Sequence, residues 1–132
     1  MVERVAALAS ARPVATGAFA IARTCYSHLA GRIAVALWNR ATDRAWICWD
    51  DDAVRLLPAG QRALDAVGLE LPELAGKSCL DWTERVPHIS GPLGTKLYEA
   101  LRVNKWVALV EGARELRITV RGREGFHALG LA

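Results

Sequence analysis

His28-Leu29-Ala30-Gly31 recurs 60 positions later as His88-Ile89-Ser90-Gly91, and this echo decides how the rest of the chain is read. Leu37 and Leu97, Trp46 and Trp106, and Leu56 and Leu116 match at the same offset. After a slip of two, Gly60, Leu64 and Leu69 match Gly122, Phe126 and Leu131. Matches in one order at one spacing read as a tandem duplication, His28 to Leu69 and His88 to Leu131. The alternative is two independent units that are alike by composition.

Each half has the same coarse pattern. His28 to Ala41 is apolar at Leu29, Ile33, Ala36 and Leu37, and His88 to Val103 at Ile89, Leu93, Leu97, Ala100 and Leu101, which is helical spacing. Pro92 falls in a first turn, where its missing N–H costs nothing. β-type runs follow at Ala45–Trp49 and Trp106–Val110. Turn residues and second runs at Val54–Leu57 and Leu116–Val120 complete two hairpins. Helices over about 58–67 and 121–129 end at Gly68 and Gly130. Val2 to Arg12 reads as a further helix, stopped by Pro13. The predicted fold is α+β: two tandem helix–β-hairpin–helix, winged-helix-like repeats preceded by an N-terminal helix. It is laid out as one domain over 1–132, with the N-terminal helix and connection at 1–22, repeat 1 at 23–69, a connector at 70–87 and repeat 2 at 88–132.

Composition bounds the function. With 132 residues, 52% apolar and 23% charged, the chain can bury a core and is not a disordered segment. No apolar run is long enough to span a bilayer, and the start lacks the apolar region of a secretory signal, so the expected compartment is the cytoplasm and no membrane partner is expected. Three cysteines do not suggest a disulfide framework. No phosphate loop, nucleophile elbow or zinc-protease motif occurs, and the chain reads as a non-enzyme.

Three segments carry a family resemblance. They are Ala22-Arg23-Thr24-Cys25-Tyr26-Ser27-His28-Leu29-Ala30-Gly31-Arg32, Cys79-Leu80-Asp81-Trp82-Thr83-Glu84-Arg85-Val86-Pro87-His88 and Gly91-Pro92-Leu93-Gly94. Together they resemble the C-terminal region of a subset of bacterial ArsR-type winged-helix transcriptional regulators. The resemblance runs from about Ala22 to the end and implies an effector-sensing or dimerisation region; no complete helix-turn-helix precedes Cys25, so the chain is expected to be either an excised C-terminal piece of such a regulator or a stand-alone relative that lacks the DNA reader. The implied partners are a second copy of the chain, a small-molecule effector, and DNA through a missing or separate reader domain.

Candidate site residues come from the chemistry of the same segments. Cys25, His28, Cys79, Asp81, Trp82, Arg85 and His88 form the expected ligand-binding set, with Arg85 gripping an anion and Trp82 stacking. Cys25, His28, Cys79 and His88 alone offer two thiolates and two imidazoles, a tetrahedral zinc set. Against this, Cys-x8-His is a loose spacing, and buried thiols with hydrogen-bonded histidines are the plainer reading. No other cofactor is expected. Seven basic against four acidic residues from His88 onward put the net charge of +3 in the second half. Arg114, Arg117, Arg121 and Arg123 are the candidate nucleic-acid contacts there, whereas Asp50-Asp51-Asp52 at the first hairpin would repel phosphate. Trp46 and Trp106 are expected in the core, and Trp38 and Trp49 partly exposed on a dimer face.

Overall fold

Two strand-to-helix junctions organise the chain, at Gly31 and Gly91. Both have positive φ, 94° and 68°, a region open to glycine without steric cost. In the computed structural model, which describes residues 22–25, 28–72, 74–81, 84–110, 112 and 114–131, each junction turns a short buried strand into a long helix. The order is β1 (Arg23–Cys25), β2 (His28–Ala30), α1 (Arg32–Asp43), β3 (Ile47–Asp50), β4 (Ala53–Leu56), α2 (Pro58–Asp65), β5 (Ala75–Leu80), β6 (Pro87–Ser90), α3 (Gly91–Val103), β7 (Val107–Leu109), β8 (Leu116–Ile118) and α4 (Val120–Ala128).

The strands form three antiparallel sheets: β1–β2, β3–β4–β5–β6 and β7–β8. An isolated bridge between Arg23 and Glu115 ties β1 to the approach to β8. The helices cross over: α1 packs on β6 as well as β3, and α3 packs on β2 and β5. Ile33, Leu37 and Ala41 on α1, and Leu93, Leu97 and Leu101 on α3, are buried at four-residue spacing. These two apolar stripes meet Ile47, Val54, Leu56, Leu71, Ile89 and Leu116 in one cluster. Pro58 and Pro92 occupy first turns, and the Thr119 hydroxyl accepts from Gly122 N to cap α4.

This architecture corrects the predicted fold. The protein is α+β, but with four helices and three small antiparallel sheets among the described residues rather than two tandem helix–β-hairpin–helix, winged-helix-like repeats. His28–Ala30 and Pro87–Ser90 are strands, not helix starts, because the positive φ at Gly31 and Gly91 breaks the helix there. The stretch expected as a plain connector contains β5. The two hairpins are not equivalent wings: β3–β4 is the outer half of a four-stranded sheet, and β7–β8 stands as a sheet by itself. The expected N-terminal helix over 2–12 lies outside the described residues.

Tryptophan placement differs in part. Trp106 is buried edge-on to Phe126, with ring centroids 5.1 Å apart, and Trp46 packs at the core margin. Trp38 is buried rather than exposed, while Trp49, its tilted neighbour at 5.7 Å, is 54% exposed. No helix among the described residues is long and apolar enough to cross a membrane.

Candidate functional site

Each of the hairpins β1–β2 and β5–β6 sets a cysteine directly opposite a histidine: Cys25 faces His28 and Cys79 faces His88. Cross-strand partners have Cβ atoms about 4.5–5.5 Å apart, close enough to share one ligand. Packing of β2 against β6 then stacks the pairs. His28 Nε2 lies 2.9 Å from His88 Nε2, with the rings 4.8 Å apart and tilted by 44°. One ligand atom from each of the four side chains lies within 4.8 Å of all the others. Both imidazoles are buried and both thiols are half-buried and free. Gly94 permits the approach of α3, since a Cβ there would stand 2.5 Å from Ile89 O and 3.3 Å from His28 Cβ.

Asp81, wholly buried, anchors this cluster. Its Oδ1 accepts from Arg23 Nη2 at 2.8 Å and Glu84 N at 3.2 Å. Its Oδ2 accepts from Gly31 N at 2.7 Å and His88 Nδ1 at 3.0 Å. The Arg23 side chain is fully buried too, so this ion pair is screened little by solvent. A proton on His88 Nδ1, given to the carboxylate, leaves the Nε2 lone pair facing the cluster. Burial, with His88 adding, lowers the His28 pKa to about 4, so that ring is neutral near pH 7. Burial also raises the Cys79 thiol to about 11, helped by neighbouring Cys25 and Asp81.

Of the expected ligand-binding set, Cys25, His28, Cys79 and His88 converge and Asp81 touches them through His88. Arg85 does not join: it is exposed, at φ 61°, and its backbone N–H closes a turn onto Asp81 O at 2.7 Å. Trp82 lies outside the described residues. The basic residues are dispersed. Arg114 spends its guanidinium on Thr24 O at 3.2–3.3 Å, Arg117 is exposed on β8, and Arg121 and Arg123 are exposed on α4. Sequence reasoning passed over Arg23 as a site residue. Its signal was a lone charge in the otherwise uncharged run Ala22-Arg23-Thr24-Cys25.

Two thiols and two imidazoles with no carboxylate among the four donors suit a borderline-soft ion such as zinc, and four protein donors leave no open position for substrate, as in a structural rather than a catalytic site. An organic ligand has less support here. An open depression of about 370 Å³ is lined by Ile33, Ile118, Arg123, Glu124, Phe126 and His127, none of them from the cluster.

The chain is similar to an uncharacterised HTH-type transcriptional regulator of Bacillus subtilis (strain 168), YdfF, with 30% identity over 111 residues. The match takes in 80% of this chain and 49% of that protein, so the chain spans about half the length of the curated relative it matches. No protein-family model matches the chain. No solved structure matches it significantly. The relative is named as a regulator of transcription and not as an enzyme.

Proposed function

We propose that this chain is the effector-responsive part of a transcriptional regulator of the ArsR type, with the effector bound between the β1–β2 and β5–β6 hairpins. The observation that carries this reading is the polar, partly buried Cys25–His28–Cys79–His88 cluster set where two hairpins from distant parts of the chain meet. An ion or ligand bound there is sensitive to the relative position of both hairpins, as a switch element requires. Similarity to about half of an HTH-type regulator supports the regulatory context.

DNA contact belongs, in this reading, to a separate helix-turn-helix. Binding DNA through the second half is less well supported. Arg114 is engaged with a carbonyl, and Arg121 and Arg123, two positions apart on α4, lie on different faces of the helix. A gel-shift titration of the purified chain at two salt concentrations tests the assignment. Weak binding without sequence preference that fades steeply with salt is expected. Tight, site-specific binding near physiological salt would overturn it.

A further inference from the structure

We propose that Cys25, His28, Cys79 and His88 together bind one divalent metal ion of the zinc class in a closed tetrahedral site that fastens the two hairpins to each other. The inference names the effector class for the reading above, and rests on that reading only for what the ion signals. The site itself is argued from its atoms.

The donor set comes first. The chain has three cysteines and three histidines, and two of each meet at one point. The others lie apart, Cys48 exposed on β3 and His127 exposed on α4. Magnesium and calcium want oxygen ligands, so this set selects against them and for zinc or a similar thiophilic ion.

Geometry is the second argument. Zinc–nitrogen bonds of about 2.0–2.1 Å in a tetrahedron put two nitrogens about 3.4 Å apart. The two Nε2 atoms stand at 2.9 Å, so a small opening of the rings admits the ion. Two ring nitrogens meeting Nε2 to Nε2 otherwise need a proton between them to avoid facing lone pairs. The ion replaces that proton and recruits both thiols, which are already within 4.8 Å.

The surroundings are the third. A histidine that ligates through Nε2 commonly gives its Nδ1–H to a carboxylate, which fixes the ring and raises its basicity. Asp81 does this for His88 and is itself held by Arg23, Gly31 N and Glu84 N. The half-exposed thiols leave the entry path that a buried site requires.

Cobalt titration of the reduced, chelator-treated chain tests this. Saturation at one equivalent is expected, with the intense visible bands of tetrahedral cobalt and a near-ultraviolet thiolate charge-transfer band, and zinc should bleach both. C25S and C79S should each weaken the charge-transfer band and lower affinity by more than the roughly 10–100-fold cost of losing an outer partner, whereas C48S should change neither. A weak octahedral spectrum, no saturation at one equivalent, or C25S and C79S proteins that bind like the parent would overturn the site. The wild-type spectrum decides even if a variant fails to fold. Failure of the regulator reading would appear in the gel shift and leave the cobalt result untouched.

Discussion

Asp81→Asn keeps the shape of the side chain while removing its charge, and the surrounding donors make the cost calculable. Among the described residues the carboxylate accepts from four donors, two on each oxygen. Asparagine has one acceptor oxygen, so its NH2 must face either Arg23 and Glu84 N, or Gly31 N and His88 Nδ1. Hydrogen bonds to charged groups contribute about 1.5–3 kcal/mol each. Removing one partner of a buried ion pair costs about 3–5 kcal/mol. These overlap because they describe the same contacts, so about 3–5 kcal/mol is the expected loss. With a urea slope of roughly 1.5–2 kcal/mol/M, the midpoint falls by about 2 M. Urea unfolding with chelator present measures it free of any metal contribution. Arg23→Met should cost a similar amount, and the double variant less than the sum of the two. A loss below about 1 kcal/mol for Asp81→Asn, or strict additivity, would refute the claim that this buried network is held by its charge.

Gly94→Ala places a Cβ against Ile89 O and His28 Cβ, and should destabilise the chain by about 1–3 kcal/mol; an unchanged thermal midpoint would show that α3 is free to move. In metal-free protein the His28 pKa is about 4, against an ordinary value of 6.5 that the unfolded chain regains. The unfolded state therefore binds the extra proton first. Stability is full above about pH 6.5 and falls by roughly 3 kcal/mol as the pH drops to about 4, and His28→Gln should flatten that limb in urea melts taken across the range. Zinc at 100 times its dissociation constant should stabilise the chain by about 2.7 kcal/mol, and chelator should reverse this in a thermal melt.

The sequence was most legible where local chemistry is strong. Pro58 and Pro92 mark helix starts, and the runs near Ile47–Leu56 and Val107–Ile118 read as hairpins. The missed strands carry no period-two signal. His28, Leu29 and Ala30 are all buried, and β5 is Ala-Gly-Lys-Ser-Cys-Leu, poor in β-branched and aromatic residues. With those strands unseen, Gly31 and Gly91 read as positions inside helices rather than joints. The Cys/His types were visible, but their unequal spacings looked wrong for one site. The hairpins explain the spacings: each cysteine is the cross-strand partner of its histidine, and the stretch of strand and loop between the two differs in length. The Arg23–Asp81 pair, 58 positions apart, left no local trace.

The backbone of β1 also has consequences for the order in which the protein comes together. Thr24 N donates to Arg114 O, Leu116 N donates to Ala22 O, and the Arg114 guanidinium returns to Thr24 O, contacts that span about 90 residues. A chain emerging from the ribosome therefore makes Cys25 and His28 early but gains the outer partner of their strand only when Leu116 arrives. Closing so long a loop slows folding, since its entropy is lost before the contacts repay it. Until then the edge of β1 presents unpaired N–H and C=O groups to any passing strand. A stop codon anywhere between β7 and Leu116 would leave both cysteines and both histidines in the product, yet strand the first hairpin without its far-end clasp.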